Sequence, residues 1–129
     1  MSFELTLLVW STVLGLVYVS VQSMLYKAQV GNAPTVGARD TIPEPEKLAG
    51  RATRALRNFL ETYPVFVALA LAVELSGQSD GLTRWGAGLY LGFRAIYLPL
   101  YLAGVPWMRT FSWNLATLGL ALMIVGVFF

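Results

Sequence analysis

The sequence predicts an all-α integral membrane protein, a four-transmembrane-helix bundle, and three observations predict it. Of its 129 residues, 57% are hydrophobic and only 12% are charged, against about 25% charged in ordinary soluble domains. The mean hydropathy is +0.63. Four apolar stretches, at about 3–26, 56–75, 85–103 and 111–129, each reach the roughly 20 residues a helix needs to cross a ~30 Å hydrocarbon core. They lack the alternation of a barrel strand, and lipid admits only helices and closed barrels. One membrane domain, 1–129, is expected, with helices at about 3–26, 46–76, 83–103 and 106–129.

The first stretch has no basic start, is too long for a signal-peptide core and shows no small-x-small cleavage pattern, so it is expected as helix 1. The linker that follows, with its glycines, prolines and IPEPE run, should be irregular to about Pro45. Helix 2 should begin near Glu46, with Glu44 and Glu46 at its positive dipole end. Lys27, Arg39, Lys47, Arg51, Arg54 and Arg57 cluster between the first two spans, and Arg109 follows the third, whereas the second turn offers only Arg84. The positive-inside rule places both termini outside and these two basic connections in the cytoplasm.

Cysteine and histidine are both absent. Disulfides, thiolate nucleophiles and His-based triads are excluded, and no metal site is expected. Any reactive thiol must come from a small molecule. A net charge of +2 on so apolar a chain gives no reason to expect a nucleic-acid partner.

The stretch RATRALRNFLETYP, from Arg51 to Pro64, carries polar groups into helix 2. At ~100° per residue Arg51, Arg54, Asn58 and Glu61 share an arc of roughly 80°, with Arg57 beside it. A collar of charges would suit headgroups; a face suits a partner or a ligand. Ionised Glu61 sits within the apolar span, where it costs a few kcal/mol unless paired. In helix 3, Arg94, Tyr97 and Tyr101 fall on one arc of roughly 60°, and Arg94 is the favoured partner of Glu61, with Arg57 or Arg54 of its own helix the alternative. That pairing makes Glu61→Ala the more damaging change when set beside Glu4→Ala. Pro99 should free a backbone carbonyl. Gly88-x-x-x-Gly92 allows close helix approach. Pro106 should open helix 4 with Arg109 in its first turn, on the side where helix 2 also begins.

R-x-x-R-A-x-x-N-x-x-E-x-x-P at Arg51 to Pro64, R-x-x-Y-x-x-x-Y at Arg94 to Tyr101, and Arg109 opening the last helix together resemble the MAPEG family, membrane-associated proteins in eicosanoid and glutathione metabolism, in a compact bacterial form. The resemblance implies a homotrimer in the bacterial inner membrane, with inter-subunit sites open to the cytoplasm. It implies glutathione as co-substrate, bound by Arg51, Arg54, Arg57, Asn58, Glu61, Arg94, Tyr97 and Tyr101. Arg109 would be the catalytic group on the thiolate, since a nearby guanidinium lowers a thiol's pKa. The histidine and aspartate that eukaryotic relatives often carry in helix 2 are here Leu56 and Phe59. Two functions are therefore expected as alternatives. One joins glutathione to lipophilic small molecules or reduces lipid hydroperoxides; the other holds a membrane lipid or fatty acid without catalysis.

Overall fold

The computed structural model describes residues 1–31 and 43–129. Four helices follow the predicted order: α1 (Phe3–Val30), α2 (Lys47–Ser76), α3 (Gly81–Ala103) and α4 (Pro106–Phe128). The expected irregular linker falls mainly on 32–42, outside the described residues, and 43–46 is non-helical.

Local chemistry sets the ends. The Ser2 hydroxyl accepts from the Leu5 N–H (3.0 Å) and caps α1. A capping box opens α3: the Asp80 carboxylate accepts from the Thr83 N–H, and the Thr83 hydroxyl accepts from the Asp80 N–H, both at 2.9 Å. Gly104 ends α3 in the left-handed region, φ 73°, which a glycine adopts without Cβ strain. Pro106 then occupies the first turn of α4, where its missing N–H has no intrahelical partner to lose. Both α2 and α3 continue through a proline, Pro64 and Pro99.

The bundle is built from two pairs. The most extensive packing joins α3 to α4, followed by α1 to α2, and among the described residues the backbones of α1 and α4 do not come close. Glycine explains the first pair. A Cβ on Gly86 would collide with the Gly119 carbonyl oxygen and lie 2.7 Å from Met123 Cγ, and one on Gly126 would lie 2.5 Å from Thr83 Cγ2. Without side chains at these positions the two backbones touch. Gly88 and Gly92, the pair singled out by spacing, pack against no other described residue of the chain: a Cβ on either meets no atom within 4 Å.

Three helices, α1, α2 and α4, are long and apolar enough to cross a membrane. The expected fourth span, α3, falls short on mean hydropathy because Arg84, Arg94, three tyrosines and four glycines dilute its leucines. Its 23 residues still make a rod of about 34 Å laid along α4.

Two buried clusters fill the bundle. One, around Phe66, Tyr90 and Met123, lies toward the α2–α3 turn. The other, around Tyr18, Phe59 and Tyr97, lies toward the α3–α4 turn and is mostly aromatic. Near the α2–α3 turn Glu4 is fully buried; it accepts from the Thr83 hydroxyl (2.7 Å) and the Ser79 hydroxyl (2.9 Å). The Ser2 N–H also donates to Glu74 Oε2 (2.8 Å), so the start of α1 is tied to this turn twice.

Candidate functional site

Where α2 meets α3, the Asn58 side-chain oxygen accepts a hydrogen bond from Arg94 Nη1 at 2.9 Å. Arg94 is 1% exposed, the largest fully buried side chain described. Its Nε and Nη2 have no hydrogen-bond partner among the described residues. Aromatic rings take part of their place: the guanidinium lies 4.4 Å from the Tyr97 ring centroid and 5.6 Å from that of Phe59. A desolvated cation over a ring face is held by about 2 kcal/mol. That is far less than the cost of stranding a charge in a low-dielectric interior.

The ladder continues outward. Tyr97 and Tyr101 touch at 5.5 Å between ring centroids, and the Arg109 guanidinium sits 4.6 Å from the Tyr101 centroid. The i, i+3, i+7 spacing stacks Arg94, Tyr97 and Tyr101 on one face of α3, as its helical period requires. Short Gly104-Val105 then returns the chain so that Arg109, in the first turn of α4, meets the last rung. Asn58, Arg94, Tyr97, Tyr101 and Arg109 are thus one contiguous set drawn from three helices. It has a buried cation at one end and a half-buried cation at the other. Buried N–H donors that lack protein acceptors call for an acceptor from a ligand, a neighbour or a bound water.

The remaining α2 candidates do not join this set. Arg51 Nη1 donates to the Leu102 carbonyl at 2.9 Å, and its guanidinium packs against Gly104. There it satisfies and electrostatically complements the C-terminus of α3. Arg54 is exposed. Arg57 and Glu61 are exposed on another side of α2, where with Thr53, Leu56 and Leu60 they line a shallow pocket of about 420 Å³.

The expected Glu61–Arg94 pair is therefore replaced by Asn58–Arg94. The reason is angular: Glu61 lies three residues beyond Asn58, about 60° around the helix. The shared arc straddles the edge between the buried and outward sides of α2. The stability expectation reverses with it. Glu4→Ala would leave the Ser79 hydroxyl without its acceptor and the Thr83 hydroxyl with only the longer contact to the Asp80 carbonyl, at about 1–3 kcal/mol. Glu61→Ala removes an exposed side chain, and thermal melts in detergent should show the smaller loss for it.

Two contributors carry no chemical signal in the sequence. Phe59 stacks between Tyr18 (4.5 Å) and Tyr63 (4.9 Å) while facing Arg94. The Tyr18 hydroxyl donates to the Arg94 carbonyl at 2.5 Å and pins the α3 backbone to α1. An apolar-run tyrosine on α1 reads as packing until α3 is seen beside it. The carbonyl it holds is next to that of Ala95, which Pro99 deprives of its helical donor.

The model of one family, "MAPEG family", matches residues 7–129. No curated protein and no solved structure matches.

Proposed function

Because the chain belongs to the MAPEG family, we propose that it is a membrane glutathione-dependent transferase. In this reading it binds glutathione at the end of the bundle that carries Arg51 and Arg109, and uses its thiolate on lipophilic electrophiles. The observation that carries the reading is Arg94. A buried guanidinium with two nitrogens unpaired is suited to a carboxylate, and Asn58 and Tyr97 hold it in place for one. Glutathione has two carboxylates and one thiol, and the ladder has two cations.

Arg109 takes the thiol end. Its charge would stabilise the thiolate and enlarge the nucleophilic fraction at neutral pH, with the proton leaving to solvent. The thiolate sulfur then forms a C–S bond to the electrophilic carbon, and the displaced electron pair leaves with the leaving group. The Tyr101 ring positions Arg109 for this. Glu61 and Arg57, exposed on an apolar helix, are expensive facing lipid. That supports a homotrimer in which a neighbour or the ligand covers them. The Lys/Arg asymmetry supports a cytoplasmic opening, where glutathione would enter, and outward termini.

A lipid or fatty-acid binding role is the second reading. One observation favours it: Arg51 is spent on the α3 terminus, so fewer arginines converge than a tripeptide with several charges invites. Kinetics separate the two. Arg109→Ala should lower kcat for conjugation by about 100–1,000-fold, in the range of losing one electrostatic stabiliser, with a smaller rise in KM. Arg54→Ala should raise KM for glutathione with kcat largely kept. Absence of any acceleration by the wild type would leave the lipid-binding reading.

A further inference from the structure

A second cavity lies away from this ladder, along the outward face of α3, with a volume of about 550 Å³. That falls within the range of about 300–1,000 Å³ typical of ligand sites. Gly88 and Gly92 form its floor, because neither has a side chain to fill it and nothing stands within 4 Å of where a Cβ would be. Phe3 of α1 and Phe93 and Ile96 of α3 form the walls. From Arg84 at one end to Ile96 at the other the groove follows twelve residues of helix, about 18 Å. One leaflet of a ~30 Å hydrocarbon core is about as deep.

Charge distinguishes the two ends. Below the mouth every lining residue is apolar, so nothing there requires a protein partner to neutralise it. At the mouth stand Arg84 and Trp85, the latter 74% exposed, the residue pair of a headgroup boundary. Arg84 uses only its Nε, on the Ser79 hydroxyl at 3.3 Å. The acidic groups nearby are engaged elsewhere: Glu4 with Ser79 and Thr83, Glu74 with the Ser2 backbone, Asp80 with the Thr83 backbone. The terminal nitrogens of Arg84 are the groups available to an anion.

We propose that this groove seats one acyl chain of a glycerophospholipid from the leaflet at the α2–α3 end, with the lipid phosphate on Arg84. A second copy of this chain is the weaker occupant, since the exposed charges that need protein cover, Arg57 and Glu61, are on α2 and not here.

Native mass spectrometry of the detergent-purified protein tests this, with equal amounts of phosphatidylglycerol and of diacylglycerol bearing the same chains. Wild type should retain the phospholipid in preference. Gly92→Leu fills the floor and should abolish retention of both, and Gly88→Leu is a second way to fill it should the first fail to fold. Arg84→Gln should lower the preference for phosphatidylglycerol by about five- to tenfold, the worth of a charge-assisted hydrogen bond at an interface. Unchanged retention by the filled variants, or no preference for phosphate in the wild type, would overturn the proposal. So would a filled variant that changes the assembly's mass, because the groove would then be a protein contact.

Discussion

Gly86→Val is expected to leave little or no folded protein, whereas Gly92→Val, six residues along the same helix, should be tolerated. A Cβ at position 86 overlaps the Gly119 carbonyl and crowds the Met123 backbone nitrogen at 3.0 Å. Backbone cannot rotate away as a side chain can, so α3 and α4 must separate or shift. Separation opens the most extensive contact in the bundle and loosens Arg109 from Tyr101. Losses above about 4 kcal/mol belong to such mechanisms. Gly92 faces open space, and a change there should stay within about 0.5 kcal/mol. Thermal melts in detergent compare them. Equal effects of the two substitutions would mean that α3 does not lie on α4 in this register.

The second expected result is an asymmetry at the Asn58–Arg94 contact. Asn58→Leu removes the hydrogen-bond acceptor described for a buried guanidinium and should cost about 3–5 kcal/mol, the loss seen when a buried charge is stranded. Arg94→Met should cost little and could gain about 1–4 kcal/mol, because a flexible thioether needs no hydrogen bonds in an aromatic pocket. The double variant should melt near Arg94→Met, giving a large coupling between the two positions. Arg94→Met should nonetheless lose glutathione binding. A side chain that weakens the isolated fold and is needed for the ligand is a stability–function compromise. Additive effects would show that Arg94 is solvated in the membrane.

Both results depend on features the sequence carried unequally. Four helices and their order were legible because apolar run length and capping residues are local properties. The one-sided clustering of Arg94, Tyr97 and Tyr101 was legible too, since it follows from helical period alone. What period cannot give is the azimuth of a neighbouring helix. An arc of α2 holding Arg51, Asn58 and Glu61 therefore read as one face, when α3 meets only its Arg51–Asn58 edge. Glu61 and Asn58 exchanged places as Arg94's partner for that reason. Spacing also could not show that Gly88 and Gly92 meet no helix of their own chain, whereas Gly86 does. The packed set Gly86, Gly119 and Gly126 is split across two helices, and only the seven-residue spacing of the last two hinted at it. Glu4 was hidden by distance in sequence, its partners being Ser79 and Thr83.

Glutathione held with its sulfur ionised beside Arg109 is read directly by the ultraviolet difference absorbance of the bound thiolate. Purified wild-type protein titrated with glutathione at neutral pH should develop the thiolate band in saturable fashion. The Arg109→Ala variant should still bind the tripeptide but develop the band only at higher pH, since loss of the cation raises the thiol's pKa. A wild-type protein that fails to bind glutathione at millimolar concentration, or binds it as the neutral thiol, would contradict the account.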